Sequence, residues 1–333
     1  MLAETTRCTV LTNTTFQNVS TSRGRVESLL LTNGESVTAD FFIDGTGGGA
    51  LCSACGCQVM QGQEARGRFN KPGAPGEPNE RINGVTLIFR VSPARCAGIQ
   101  KLPDDIPREC WWSGRFPVIS AVQYPSGGYN CNILPTMEGA EFLRLGRAAA
   151  YRECRRRVAA QWHHLQSGWS DFRNFRMSWA APALGLRETT RVVCEYVLTE
   201  HDLDRGLSGQ AHDDIVTIAD HAVNRHGAGG GAHQVDEPYG VPYRCLIPEG
   251  FSNMLIACRG AGFSSIAASS CRLSRTMMQL GQAAGTAAAL AGRNNMTLPA
   301  VDLQALRASL KKQHVQLEFP LPDDLRDYVV DEL

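Results

Sequence analysis

Residues 253–260 read NMLIACRG, and residues 270–291 read SCRLSRTMMQLGQAAGTAAALA. The first stretch is a short apolar run of the kind that forms a buried strand, and the second has apolar residues at helical spacing. A loop of small residues joins the two stretches. This strand–loop–helix pattern predicts the closing half of a nucleotide-binding α/β domain.

Two glycines, Gly281 and Gly285, lie four residues apart on one face of the predicted helix. Each glycine costs a helix interior about 1 kcal/mol relative to alanine, so the pair indicates a close backbone approach. One interpretation is tight packing of the helix on a sheet. The other is a helix that runs under a flat cofactor, with its N-terminal amides directed at the cofactor's polar edge. Arg272 and Arg275 would add cationic groups there, although solvated arginines have the same pattern.

The composition excludes several classes of protein. The 333 residues provide for two domains or one large one, and 33 basic side chains balance 33 acidic ones. This balance argues against a nucleic-acid partner. No apolar run approaches the length of a membrane span, and the N-terminus lacks a signal-peptide core, so we expect no membrane contact and a cytoplasmic location. The twelve cysteines are then expected to be reduced thiols.

The remaining pattern predicts an alternation of strands and helices. β-rich runs open the chain at residues 7–11, 14–21, 26–32 and 36–43. Further strands are predicted at residues 85–91, 118–123, 129–134 and 188–198. Helices are predicted at residues 50–57, 139–164, 213–224 and 303–312. Residues 62–78 are rich in Gly, Pro and charge and read as a linker.

The fourth run ends in a glycine-rich turn, GTGGGA at residues 45–50. These residues match the dinucleotide fingerprint G-x-G-x-x-G/A, but a single match is weak evidence. The helix that follows is short, and Glu64, at the expected distance of the ribose-binding acid, lies in a Gly/Pro-rich loop. We therefore do not expect this turn to be the primary phosphate loop.

Four segments together resemble the FAD-dependent oxidoreductases that include heterodisulfide-reductase-subunit-A-like proteins, within the glutathione-reductase and fumarate-reductase-type flavoprotein group. In chain order they are ADFFIDGTG at residues 39–47, LGLRETTR at 184–191, YGVPYRCLIP at 239–248, and NMLIACRG at 253–260 with its helix. Each segment alone is weakly specific. The joint match is specific, because the segments span most of the chain in the expected order.

The resemblance implies an α/β fold: an incomplete FAD-binding Rossmann-like domain with an inserted α+β substrate or capping domain. The FAD-binding domain would comprise residues 1–61 and 246–295, the substrate/capping domain residues 62–245, and a C-terminal extension residues 296–333. The protein would be an enzyme that transfers hydride or electrons through FAD to or from a small-molecule substrate. The first and fourth segments would bind the flavin, through Asp44, Gly45, Thr46, Gly47, Gly48, Arg259, Gly260, Arg272, Gly281, Gln282 and Gly285.

One part of the family pattern has no counterpart before the first β-rich run. Family members begin with a strand, a G-x-G-x-x-G loop and a helix, which bind the FAD pyrophosphate. Losing several charge-assisted hydrogen bonds, at about 1.5–3 kcal/mol each, would weaken binding by orders of magnitude. We therefore expect a truncated form that binds FAD poorly alone. Alternatively, the chain is a non-catalytic remnant, or a subunit whose partner chain supplies the missing unit.

Cys52, Cys55 and Cys57 form a C-x-x-C-x-C cluster of the kind that can bind iron–sulfur clusters. Some relatives carry such clusters, and an electron-transfer component with a [4Fe–4S] cluster is a second alternative. A fourth ligand would be needed, and no particular residue is indicated. The favoured interpretation is that these are small core residues replaced by cysteine.

Candidate catalytic residues are few. His221 and His226 have the chemistry of proton donors, although histidine at a helix end is more often a cap. Arg187 has the geometry to hold a carboxylate through two hydrogen bonds, but an ion pair with Glu188 or Glu195 is as good an interpretation. Tyr243 is equally ambiguous. The substrate and the electron acceptor do not follow from the sequence.

Overall fold

The computed structural model describes residues 8–227 and 231–331. Within these ranges the strands are β1 (Phe16–Ser22), β2 (Arg25–Leu31), β3 (Ser36–Val37), β4 (Phe42–Asp44), β5 (Val59–Gln61), β6 (Phe89–Pro93), β7 (Ile119–Gln123), β8 (Tyr129–Ile133), β9 (Phe175–Ala180), β10 (Thr190–Val192), β11 (Ile215–Ala219), β12 (Val223–Asn224), β13 (Ala232–His233), β14 (Tyr239–Pro242) and β15 (Met254–Ile256). The α-helices are α1 (Ala50–Ala54), α2 (Arg66–Phe69), α3 (Gly139–Gly168), α4 (Glu200–Gly209), α5 (Ser265–Ala268), α6 (Ser274–Asn294), α7 (Leu303–Lys312) and α8 (Asp323–Asp331). The predicted mixed α/β class is confirmed.

Two compact units divide the chain. Unit 1 comprises Met1–Met60, Thr190–His221 and Val235–Leu333, and unit 2 comprises Gln61–Thr189 and Ala222–Gln234. This division reflects compactness. The functional domain boundaries expected from the sequence stay a prediction.

Unit 1 opens with a three-stranded antiparallel meander of β1, β2 and β3. Arg23 and Gly24, the two residues between β1 and β2, both have positive φ angles, of 48° and 71°, as a type I′ hairpin turn requires. A side chain at Gly24 would also collide with the Gly250 carbonyl oxygen, which lies 2.4 Å from the ideal Cβ position. Glycine is therefore required at this turn for two independent reasons.

The strand predicted from the NMLIACRG stretch is β15, and it pairs in parallel with β4. All three of its residues are buried, and the buried Asn253 just before it joins it to the meander. Its side-chain oxygen accepts from the Val26 amide at 2.9 Å, and its side-chain nitrogen donates to the Val26 carbonyl at 2.9 Å. The helix α6 follows and packs against β11 and α7 with one face, formed by Thr276, Leu280, Ala283, Ala284, Ala287 and Ala291.

Unit 2 is built on a four-stranded antiparallel sheet in the order β7-β8-β6-β9. The long helix α3 contributes Val158, Trp162 and Leu165 to the same buried cluster as the apolar residues of β6 and β8. Phe89 and Trp162 pack edge to face with ring centroids 6.1 Å apart. This unit therefore has an apolar core of its own.

Several predictions of secondary structure are wrong. The single run predicted at residues 36–43 is divided between β3 and β4, which belong to different sheets. The helix predicted at residues 213–224 is instead the strands β11 and β12, because Ile215, Val216 and Ala219 are all buried and such a strand shows no alternation. The strand predicted at residues 188–198 is confined to β10. Of the run predicted at residues 7–11, Arg7 lies outside the described residues and residues 8–11 are irregular.

The lengths and hydropathy of the helices bear on membrane contact. Among the described residues, no helix combines the length and the apolar character that crossing a bilayer requires.

Candidate functional site

Two glycine-rich loops follow the two parallel strands of unit 1. We name residues 45–49, after β4, the Gly45 loop, and residues 257–262, after β15, the Cys258 loop. Because parallel strands end at the same edge of a sheet, the loops share the edge at which ligands bind in open α/β sheets. A Cβ on Gly260 would lie 2.9 Å from the carbonyl carbon of Gly48 and 2.9 Å from the amide nitrogen of Gly49. The two backbones therefore touch at a point where no side chain fits.

The buried carboxylate of Asp44 fixes the shape of the Gly45 loop. It accepts hydrogen bonds from the Thr46 amide at 2.9 Å, the Thr46 hydroxyl at 2.7 Å and the Cys52 amide at 2.9 Å. The Thr46 hydroxyl oxygen in turn accepts from the Ala50 amide at 2.8 Å. One aspartate thus ties the strand β4, the loop and the helix α1 together, which explains why the sequence places Asp and Thr around the first glycine.

The accessible part of the Gly45 loop carries a cation beside it. Gly45 and Thr46 are exposed, and Gly47, Gly48 and Arg259 are half-buried. The Nη2 atom of Arg259 lies 3.3 Å from the position of a Cβ on Gly47, whose φ is +86°. Glycine therefore permits both the left-handed backbone and the close approach of the guanidinium. Five residues predicted to bind the cofactor are brought together here.

The buried thiol of Cys258 interacts with backbone amides of both loops. Burial raises the pKa of its thiol, against the opposing effect of the backbone amides of Gly260, Gly49 and Gly47, which point at the sulfur. The sequence identified Cys258 only as one of several buried thiols. Its apolar setting gave no signal of this bridging position.

The structure corrects the interpretation of Gly281 and Gly285 as sites of tight packing. Both glycines are exposed on α6, and an added Cβ at either would meet no atom of the described chain within 4 Å. The neighbouring Gln282 donates from its side chain to the Gln313 side chain at 3.0 Å. A role for these three residues toward a cofactor stays a prediction.

His221 lies near the first turn of α6. Its carbonyl oxygen accepts from the Ser270 hydroxyl, and its half-buried ring has a pKa lowered by burial and by the charges of Arg272 and Arg275. Arg272 donates to the Ser269 carbonyl at 3.2 Å, while Arg275 pairs with Asp220. The predicted helix end is replaced here by the loop after β11, so His221 is not a helix cap.

The other candidate catalytic residues are placed by their own neighbours. In unit 2, the His226 amide donates to the Asn83 side chain at 2.9 Å, and Arg187 donates to the Gly84 carbonyl at 2.8 Å. In unit 1, the hydroxyl of the buried Tyr243 donates to the Leu298 carbonyl at 3.0 Å, which is the bond of a structural tyrosine. Their catalytic roles stay predictions.

Unit 1 also contains a network of polar side chains that was not predicted from the sequence. The buried Asp202 carboxylate accepts from the Tyr196 hydroxyl at 2.8 Å and contacts the His212 Nε2 atom at 3.0 Å. The other ring nitrogen of His212 faces the Arg244 guanidinium at 3.4 Å. The available signal was the capping box of α4, in which Thr199 and Asp202 satisfy each other's amides. Both ring nitrogens of His212 have partners, so the network holds α4 in place.

The cysteine cluster gives no support to an iron–sulfur site. Within residues 8–227 and 231–331, no group of three or more His, Cys, Asp or Glu side chains is arranged to hold a metal ion. The thiol of Cys52 is fully buried and donates instead to the Met254 sulfur at 3.9 Å.

Comparison with known proteins identifies the family of the chain. A search of curated proteins finds no significant match. Residues 1–310 match the family described as FAD dependent oxidoreductase, which is nearly the whole chain. The chain therefore belongs to the FAD dependent oxidoreductase family.

Proposed function

We propose that the Gly45 loop and the Cys258 loop hold the phosphate-bearing part of FAD in this flavin-dependent oxidoreductase, which revises our expectation that the Gly45 turn is not the primary phosphate loop. The observation that carries the proposal is the position of Arg259, whose guanidinium lies against Gly47 beside an exposed stretch of glycine backbone. A cation and an uncovered backbone are the groups that bind phosphate oxygens. FAD supplies the hydride or electron transfer, and the chain supplies position and polarity.

The residues present fit this part of the cofactor. Gly45 has no atom within 4 Å of an added Cβ, so the outer side of the loop is open to a ligand. On its inner side the loop is held by Asp44, through the Thr46 amide and hydroxyl. A preorganised loop loses little conformational entropy when it binds, and this favours affinity.

The proposal gives His221 a proton-transfer role toward the substrate. Its lowered pKa keeps the imidazole neutral near pH 7, because burial and the charges of Arg272 and Arg275 oppose protonation. A neutral imidazole accepts a proton more readily than it donates one. We therefore propose His221 as a base, which refines the expectation of a proton donor.

We also propose a subfamily, a partner chain and a cellular location for the protein. The four matching segments support a heterodisulfide-reductase-subunit-A-like relationship and a Rossmann-like FAD domain with a small-molecule substrate. In the described residues, β4 and β15 form a sheet of two short strands, fewer than open α/β sheets usually contain. This observation supports a partner chain that completes the nucleotide site. The twelve free thiols support a cytoplasmic location.

The test compares FAD with riboflavin, which has the same ring system and no phosphate. We expect Arg259→Gln to weaken FAD binding about tenfold to a hundredfold, the effect of one charge-assisted hydrogen bond, and to leave riboflavin binding unchanged. Binding is measured by quenching of flavin fluorescence. Arg293→Gln, at the exposed end of α6, is the matched control and should bind both ligands like the unmodified protein. Equal losses for FAD and riboflavin, or no loss for FAD, would contradict the proposal.

A further inference from the structure

The end of α1 brings two cysteine side chains together. The Cys57 amide donates to the Cys52 carbonyl at 3.0 Å, and the Gly56 amide donates to the Ser53 carbonyl at 3.1 Å. Gly56 has a φ of +83°. This pair of bonds around a left-handed glycine is the Schellman motif, in which the residues in the positions of Cys52 and Cys57 commonly make a side-chain contact. In this protein both of these positions are occupied by cysteine.

The two thiols of this pair differ in environment. Cys52 is fully buried, whereas Cys57 retains 9% of its surface in solvent. The interaction between the two thiols raises the pKa of Cys52 and holds the pKa of Cys57 below its ordinary value. Between them in sequence, the half-buried Cys55 has a pKa raised to about 12, chiefly by burial. Cys57, the less deeply buried of the pair, is therefore also the residue whose thiol loses its proton more readily.

We propose that Cys52 and Cys57 form a reversible dithiol–disulfide pair that exchanges with small-molecule disulfides. This activity lies beyond the proposed flavin function, and it does not depend on that function. The Schellman motif supplies the proximity, and Cys57, the less deeply buried of the two, supplies the point of attack. The difference in environment sets the order of the two steps.

Each step of the exchange is balanced. The Cys57 thiolate attacks one sulfur of the small disulfide, the S–S bond breaks, and one small thiolate leaves and takes up a proton. The Cys52 thiol then gives up its proton and attacks the Cys57 sulfur of the mixed disulfide, and the second small thiol leaves. From the dithiol state the protein loses two protons and two electrons in total, and the small disulfide gains them as it becomes two thiols. Excess small thiol reverses both steps.

The experiment uses the full chain and glutathione disulfide as the probe. After incubation, free thiols are alkylated, and the protein is digested and mapped by mass spectrometry. We expect a Cys52–Cys57 link that disappears on treatment with reduced glutathione. Oxidation that leaves both residues alkylated, or that links Cys55 to either of them, would overturn the proposal. The mapping of the unmodified protein is decisive even if a variant fails to fold.

Variants then test the order of the steps. Cys52→Ser should trap glutathione on Cys57 as a stable mixed disulfide, whereas Cys57→Ser should leave Cys52 unmodified. Cys55→Ser is the matched control and should form the Cys52–Cys57 link to the same extent as the unmodified protein. Glutathione trapped on Cys52 in the Cys57→Ser variant would contradict the assignment of Cys57 as the attacking thiol.

Discussion

Asp44 is the residue on which the candidate site depends most. Its buried carboxylate accepts three hydrogen bonds that shape the Gly45 loop and anchor α1. We expect Asp44→Asn to lower the free energy of unfolding by about 2–4 kcal/mol, because the amide replaces a charged acceptor and brings donors of its own. Urea denaturation measures the change. Asp40→Asn, at an exposed position four residues earlier, is the control and should change stability little.

Gly260 is needed where the two loops touch. We expect Gly260→Ala to destabilise the protein by about 1–3 kcal/mol, since its methyl group would overlap the backbone of Gly48 and Gly49. The matched control is Gly45→Ala in the neighbouring loop, where nothing lies within 4 Å of the added atom. Thermal denaturation of the two variants should separate them. An equally stable Gly260→Ala protein would show that the loops are not in contact.

His221 should make the protein sensitive to acid. Burial and the charges of Arg272 and Arg275 lower its folded-state pKa below the ordinary value of 6.5. As the pH falls below 6.5, the unfolded state therefore binds more protons than the folded state does. The contribution of His221 to the free energy of unfolding is fully present above pH 6.5 and is lost as the pH falls toward the folded-state pKa. We expect His221→Gln to lose less stability than the unmodified protein between pH 7 and pH 5, measured by urea denaturation. The exposed His233→Gln is the control, and equal acid losses for all three proteins would exclude this role.

At the scale of elements, α6 contains two glycines for which the described part of the chain gives no packing reason. Gly281 and Gly285 are exposed, with no neighbour within 4 Å of an added Cβ. We expect Gly281→Ala and Gly285→Ala each to stabilise the protein by about 1 kcal/mol, because alanine has the higher helix propensity. Thermal denaturation without FAD tests this, and Ala289→Gly on the same exposed face should have the opposite effect. Weaker FAD binding by the alanine variants would support the predicted place of α6 beside the cofactor.

Elements with strong local signals were predicted well from the sequence. The buried strand β15 and the bounds of α7 both follow from residues close in sequence. The strand β11 was predicted as a helix, because a strand buried on both faces lacks the alternation that distinguishes the two. Its pairing with β14, about twenty residues later, is information that local periodicity does not contain.

At the scale of the whole molecule, the candidate site too was predicted only where its residues belong to recognisable local motifs. The resemblance assigned the Gly45 loop and Arg259 to one flavin site, and the structure brings the Arg259 guanidinium beside Gly47. Their role toward FAD stays a prediction. The inner supports were not foreseeable: Cys258 receives amides from both loops, and Cys52 meets both Asp44 and Cys57. The contacts of Cys258 with the Gly45 loop join segments about two hundred residues apart in sequence, whereas those of Cys52 are local and depend on the turns at both ends of α1. Neither the composition nor the spacing of residues predicts these contacts.

Residues 45–49 and 257–262, which we propose to hold the phosphate-bearing part of FAD, should be protected from exchange when FAD binds. The most direct measurement is hydrogen–deuterium exchange of the full chain, with and without FAD at a concentration that saturates the fluorescence change. We expect slower amide exchange in both loops, and a smaller effect in the Gly45 loop with riboflavin. Saturable FAD binding that leaves the exchange of both loops unchanged would contradict the proposal.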